Sequence, residues 1–119
     1  MGITTVRVTL VNPQNDRRRV DTDMVVDSGA IYSVVPAATL GEIGVEPRRT
    51  ETFHLADGRR IRRKMGEVRF ELQGREGVSK VIFGLRGDSS LLGMITLESL
   101  ALSLDPLRRT LHPLKLMIA

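Results

Sequence analysis

One short polar segment of this sequence could carry out acid–base chemistry. Asp27, Ser28, Gly29 and Ala30 directly follow a run of apolar residues that ends in two valines. A carboxylate can take up and release a proton, a neighbouring hydroxyl can fix a loop by a hydrogen bond, and glycine allows a close approach of the backbone. Because Asp, Ser and Gly are also common turn formers, a simple turn is the alternative interpretation.

A second segment of interest lies further along the chain and ends in glycine. Leu91, Leu92 and Gly93 precede a predicted helix, an arrangement that by itself is typical of a buried strand. An Asp-(Ser/Thr)-Gly-(Ala/Ser) pattern arises by chance in roughly one chain of this size in a hundred. The order of the two segments therefore indicates a function more strongly than either segment alone.

A hairpin is predicted between these two segments. Two strand-like runs flank a polar tip that consists of Ala56, Asp57, Gly58 and Arg59. An Asp-Gly pair between two such runs is a strong short-range signal for a β-hairpin.

Most of the remaining chain alternates apolar and polar residues, which is typical of half-buried β-strands. About eight short strands are predicted from this alternation and from the turn residues between the runs. They cover residues 6–10, 18–26, 33–35, 50–55, 60–65, 68–72, 78–83 and 110–112. One helix is predicted from Ile95 to Leu102, and a single helical turn from Ala37 to Leu40. The pattern predicts an all-β domain, either a closed barrel or a sandwich.

Length and composition exclude several kinds of site. The 119 residues fit one domain, which we expect to span residues 1–119. The absence of cysteine excludes a disulfide scaffold, a zinc-thiolate site and a thiol nucleophile, and two histidines are too few for a His-based metal cluster. We therefore expect no metal and no cofactor.

The sequence contains no sign of a membrane-bound or exported protein. No run approaches the roughly 20 apolar residues of a membrane span, and no signal-peptide pattern is present. We expect a cytoplasmic protein with no membrane partner.

The net charge of +4 and the sequence pI of about 10.3 raise nucleic-acid binding as a hypothesis. The arginine clusters, however, flank turn signals, where solvated charges normally lie. The aromatic residues Tyr32, Phe53, Phe70 and Phe83 are too few and too scattered for a base-stacking platform. A basic nucleic-acid-binding β-barrel is therefore the weaker interpretation.

In this order, the segments resemble the retropepsin-like aspartic proteases, the single-domain relatives of pepsin. The run that contains Asp27 matches the apolar-apolar-Asp-(Thr/Ser)-Gly-Ala motif of that family, and Leu91–Gly93 matches its apolar-apolar-Gly motif. Residues 55–60 and 100–106 are similar to the flap and to the run after the helix in prokaryotic and cellular members. Ser28 replaces the commoner Thr, Met94 stands where retroviral enzymes usually have Arg, and the flap lacks Tyr.

The resemblance implies a small closed β-barrel of the acid-protease type with one short helix in its C-terminal half. It implies that Asp27 is the general acid and base, that Ser28 bonds across a two-fold axis, and that Gly29 offers its carbonyl to a peptide substrate. It further implies that Ala30 completes that loop, that the hairpin tip acts as a flap, and that Leu91–Gly93 form a support before the helix.

One feature of the sequence bears on assembly. The Asp-(Ser/Thr)-Gly motif occurs once in the sequence. Peptide hydrolysis by an aspartic protease, in contrast, needs two carboxylates that share one proton. A homodimer would supply both through its two-fold symmetry. The resemblance implies that the substrate is a peptide or protein. A non-catalytic dimeric module that docks peptides or proteins on the same fold is the alternative. The tail Leu114–Ala119 is predicted either as an interface strand of the dimer or as an edge strand within one chain.

Overall fold

Strands that alternate buried and exposed side chains make up most of the protein. The computed structural model describes residues 3–116 and 118, in which nine strands and two short helices are formed. In chain order these elements are β1 (Thr5–Asn12), β2 (Asn15–Val26), β3 (Ser33–Pro36), α1 (Ala37–Glu42), β4 (Arg49–His54), β5 (Arg60–Leu72), β6 (Arg75–Gly84), β7 (Leu91–Leu92), α2 (Met94–Ser99), β8 (Leu102–Asp105) and β9 (Thr110–Pro113). The described chain is mostly β, as the alternation predicts.

One sheet of seven strands positions the candidate site. Its strand order is β1-β2-β7-β3-β6-β5-β4, and β1 also pairs with β5. Six of the strands, β1, β2, β7, β3, β6 and β5, are therefore linked in a continuous ring of pairings. The pairs β2–β7 and β3–β6 are parallel, whereas the hairpin neighbours are antiparallel. Strands β8 and β9 form a separate two-stranded sheet.

The core is formed by the inward-facing side chains of these strands. Val8, Leu10, Met24, Phe70 and Leu92 are at most 1% exposed. Burying a side chain of this kind stabilises a fold by about 1.5–3 kcal/mol. Because Met24 and Leu92 lie on β2 and β7, the two strands beside the candidate site are anchored in the core.

Several elements are longer than the sequence predicts, and one strand joins two predicted runs. The runs 60–65 and 68–72 are halves of one strand, β5, because Gly66 and Glu67 continue the pairing with β6. The first half of β5 pairs with β4 and the second half with β1. The helical turn predicted from Ala37 to Leu40 continues to Glu42.

The helix predicted from Ile95 to Leu102 is wrong at its C-terminal end. Helix α2 ends at Ser99, because Ala101 has a φ of 54° and leaves the helical conformation. Leu102 is still buried, but as the first residue of β8, opposite Pro113 of β9. The apolar spacing of this segment is satisfied equally well by a short helix followed by a strand.

The C-terminal tail is not a strand where it is described. The Leu114 amide donates to the Ala101 carbonyl oxygen at 2.8 Å, and residues 114–116 and 118 belong to no strand or helix. The edge strand predicted for the tail is therefore not formed there, while Met117 and Ala119 lie outside the described residues.

None of the described helices combines the length and the apolar character that crossing a membrane requires.

Candidate active site

The structure brings the two sequence motifs together at the end of β2. Val25 and Val26 pair in parallel with Leu91 and Leu92 of β7. The Asp27 amide then donates to the Leu92 carbonyl oxygen at 3.0 Å, which continues the ladder by one residue beyond the strand. The position of Asp27 is thus set by a strand from the other end of the chain.

The Asp27 loop makes a compact turn that leaves its polar groups accessible. The Gly29 amide donates to Asp27 Oδ1 at 2.9 Å, and the Ala30 amide donates to the Asp27 carbonyl oxygen at 3.1 Å. Asp27 is half-buried, whereas Ser28 and Gly29 are exposed. Within the described chain, neither Asp27 Oδ2 nor the Ser28 hydroxyl has a hydrogen-bond partner.

Helix α2 holds the far side of the same loop. The amides of Met94 and Ile95 donate to the carbonyl oxygens of Ala30 and Ile31 at 2.8 and 3.0 Å. These contacts satisfy two of the amide groups that the first turn of a helix leaves without an internal partner. The loop is therefore fixed between β7 and α2, with Gly93 at the junction of the two elements.

Three buried hydroxyl groups form a cluster that contacts Gly93, and the sequence patterns did not predict it. Ser33 Oγ accepts the Gly93 amide at 2.9 Å and is hydrogen-bonded to Thr96 Oγ1, which in turn lies 3.0 Å from Ser79 Oγ. All three side chains are at most 4% exposed. A sequence signal did exist, because Thr96 lies beside Leu97 in the short apolar helix and Ser33 begins an apolar strand. This hydroxyl cluster joins β3, β6 and α2, and it binds the amide of Gly93, the junction between β7 and α2 that holds the Asp27 loop.

We expect Thr96→Val to lower the free energy of unfolding by about 1–3 kcal/mol, because it removes the central hydroxyl and leaves Ser33 and Ser79 buried with one partner fewer. Thr52→Val is the matched control, since Thr52 is exposed on β4. Urea titration of both variants measures the difference. Equal stability of the two variants would show that the hydroxyl cluster contributes nothing.

The predicted hairpin is formed by β4 and β5. The Leu55 amide donates to the Arg59 carbonyl oxygen at 2.8 Å, and Gly58 has a φ of 88°, which favours glycine. The Arg59 amide and guanidinium both bond the Asp57 carboxylate, at 2.9 and 2.7 Å, and lower the pKa of Asp57. Ala56, Asp57, Gly58 and Arg59 are all exposed. Among the described residues, no hydrogen bond or ion pair joins this tip to Asp27.

Two contacts attach the hairpin strands to the rest of the site. The rings of Tyr32, just after the Asp27 loop, and Phe53 on β4 meet edge to face, with their centroids 6.3 Å apart. Arg63 on β5 forms an ion pair with Asp88, which lies between β6 and β7. The hydrogen bond from Arg63, assisted by the Leu85 amide, lowers the pKa of the Asp88 carboxyl.

Asp27 is only half-buried in the described part of one chain. Asp27 lines none of four clefts of about 240, 410, 490 and 520 Å³ formed by the described residues. Within the same part of the chain, no group of three or more His, Cys, Asp or Glu side chains is placed to hold a metal ion. The chemical groups available at the loop are a carboxylate, a hydroxyl and backbone amides and carbonyls.

Comparison with known proteins identifies the fold. No model of a known protein family and no curated protein matches the chain. The solution structure of the simian foamy virus (mac) protease is similar, with a TM-score of 0.55 and 20% sequence identity. The match covers 79% of this chain and 91% of that protease. This protein therefore has a retropepsin-like fold.

Proposed function

We propose that this protein is an aspartic endopeptidase that acts as a homodimer, with Asp27 of each subunit forming the catalytic pair. The observation that carries the proposal is the position of Asp27, held between β7 and α2 in a retropepsin-like fold, with one carboxylate oxygen free among the described residues. A plain turn would not require support from two distant elements.

The reaction follows from two carboxylates that share one proton, because two close like charges do not both ionise. The charged carboxylate takes a proton from water, whose oxygen forms a bond to the scissile carbonyl carbon. The protonated carboxyl hydrogen-bonds the carbonyl oxygen and stabilises its developing charge. The carbon–nitrogen bond then breaks, the amine leaves with a proton from the pair, and the products are a carboxylic acid and an amine.

The exposed surface of the Asp27 loop supports the dimer. The Ser28 hydroxyl has no partner within the described chain and is free to bond a second copy across a two-fold axis. Ile31 and Met94, which flank the loop, are 63% and 37% exposed. A two-fold contact requires the same patch on both subunits, and this patch offers both polar and apolar groups for it.

The wider architecture is interpreted in the same way. We take the returning strand pairings as the closed barrel of an acid protease, with residues 1–119 as one domain. The hairpin tip Ala56–Arg59 serves as a flap that closes over an extended peptide and excludes water during the reaction. The Gly29 carbonyl contacts the substrate backbone, as in the addition of a strand.

The deciding experiment is cleavage of a mixed peptide library from about pH 4 to pH 7, a range in which a shared proton gives a bell-shaped profile. Cuts made by the wild-type protein and absent with Asp27→Asn would establish the aspartic mechanism and reveal its specificity. An absence of cuts from a protein shown to be dimeric would favour the docking module instead.

We expect specific activity to fall on dilution, because mass action sets the fraction of dimer. Peptide cleavage and analytical sizing over the same concentration series measure the effect. Activity per subunit should follow the dimer fraction. Constant specific activity at concentrations where sizing shows only monomer would contradict a site shared between subunits.

A further inference from the structure

We infer that Arg63 and Asp88 act as positioning residues that fix the base of the flap hairpin to the loop before β7. This ion pair, the Arg63–Asp88 tether, controls how readily the flap closes on a substrate. The inference rests on the proposed function and adds to it two residues that neither sequence motif contains.

The geometry of the tether is that of a strong ion pair. Arg63 Nε lies 2.8 Å from Asp88 Oδ2, and Arg63 Nη2 lies 3.1 Å from Asp88 Oδ1. Two guanidinium nitrogens therefore each donate to a different oxygen of the same carboxylate. The side chains are 17% and 25% exposed. Paired hydrogen bonds and partial burial make such a pair stronger and more directional than ordinary surface pairs.

Asp88 also shapes the loop in which it lies. The Leu85 amide donates to Asp88 Oδ2 at 2.7 Å, and the Asp88 amide donates to the Leu85 carbonyl oxygen at 2.9 Å. One carboxylate therefore holds the loop 85–90 in shape and binds the hairpin at the same time. A shift of the hairpin base is transmitted directly to this loop.

The two ends of the tether lead to the two functional parts of the proposed site. Arg63 lies on β5 shortly after the flap tip at Arg59. The loop 85–90 leads into β7, and the Ser90 carbonyl oxygen accepts the Val25 amide at 3.3 Å, just before Asp27. The tether thus connects the flap with the strand that positions the catalytic loop.

Other charged pairs of the hairpin do not make this connection. Arg49–Glu51 and Arg59–Asp57 lie within the hairpin and are more exposed, at 45% and 47% for the first pair and 73% and 54% for the second. Of the described ion pairs in residues 49–65, only Arg63–Asp88 reaches another element. With the Tyr32–Phe53 contact on β4, it holds both strands of the hairpin and leaves the tip to move.

Loss of the tether should therefore change substrate binding more than chemistry. In Arg63→Met and Asp88→Asn, the substrate has to order a loosened hairpin, and we expect KM to rise about tenfold with kcat within about twofold. The double variant should be no worse than the more affected of the two single variants, because both substitutions remove the same ion pair. Arg63→Lys keeps the charge without the paired geometry and should fall between wild type and Arg63→Met.

Glu67→Gln is the matched control, since it removes a charge from the same strand at a weaker pair, Arg48–Glu67, with atoms 3.7 Å apart. It should leave KM and kcat within about twofold of wild type. Unchanged KM in Arg63→Met and Asp88→Asn, or additive effects in the double variant, would overturn the inference.

Amide hydrogen exchange of the intact protein separates this inference from the proposed function, because it requires no activity. We expect both tether variants to exchange faster in β4 and in residues 60–65, with β1 unchanged. If the wild-type protein has no protease activity but the variants still show this exchange pattern, the proposed protease function is refuted. The inference that the tether fixes the base of the hairpin then still stands. An active wild type whose variants change neither exchange nor KM would refute the tether alone.

Discussion

Replacing Asp27 by asparagine is expected to lower kcat/KM for peptide cleavage by at least about a thousand-fold, within the range that acid–base groups contribute. The amide has the shape of the carboxyl and keeps an oxygen that accepts the Gly29 amide, so the loop retains its hydrogen bond. A side-chain amide is too weak an acid and too weak a base to serve as the general acid or general base of the reaction. Because the dimer is symmetric, the substitution removes both members of the catalytic pair at once.

The measurement compares kcat/KM, thermal unfolding and dimer fraction for wild type and Asp27→Asn. Asp23→Asn is the matched control, because Asp23 lies on β2, the strand that leads to Asp27, and its side chain is 64% exposed where it pairs with Arg7. That control should keep its activity within about twofold of wild type. A folded, dimeric Asp27→Asn protein that still cleaves at the wild-type rate would refute the proposed mechanism.

Replacing Gly93 by alanine is expected to lower the free energy of unfolding by about 3 kcal/mol, the upper end of the usual cost of overpacking. A Cβ atom at this position would lie 2.6 Å from the carbonyl carbon and oxygen of Tyr32, and 3.0 Å from the carbonyl oxygen of Ile31. These are backbone atoms, so they cannot rotate away as a flexible side chain could. The chain must shift where α2 holds the Asp27 loop, and activity should fall with stability.

Gly41→Ala is the matched control, and it should change the free energy of unfolding in the opposite direction. Gly41 lies in α1, and a Cβ there would meet no atom within 4 Å. Alanine in a helix is favoured over glycine by roughly 0.5–1 kcal/mol, so this variant should be slightly more stable than wild type. Urea unfolding of both variants measures the difference. Similar stability of Gly93→Ala and Gly41→Ala would show that the close approach at Gly93 is relieved at no cost.

Local patterns in the sequence were sufficient for most of the strands and for the hairpin. Alternation along Val6, Val8 and Leu10 predicts β1, and the Asp57-Gly58 pair predicts the turn between β4 and β5. Both signals act over a few residues, through the faces of a strand and the φ angle that a turn requires. The same local signals could not decide where α2 ends, because Leu97, Leu100 and Leu102 are buried whether the segment is one helix or a helix followed by a strand.

The candidate site, like the fold, was predictable from local sequence patterns only in part. Residue order alone indicates that an Asp-Ser-Gly segment follows an apolar strand, that it occurs once, and that Leu91–Gly93 precede a helix. The pairing of β7 with β2, in which the Leu92 carbonyl oxygen accepts the Asp27 amide, is visible only in the folded chain. The fold also brings Ser33, Ser79 and Thr96 into one cluster and places Arg63 against Asp88. These contacts join segments far apart in the chain, and they form because folding leaves few buried polar groups without a partner, a condition that no local pattern records.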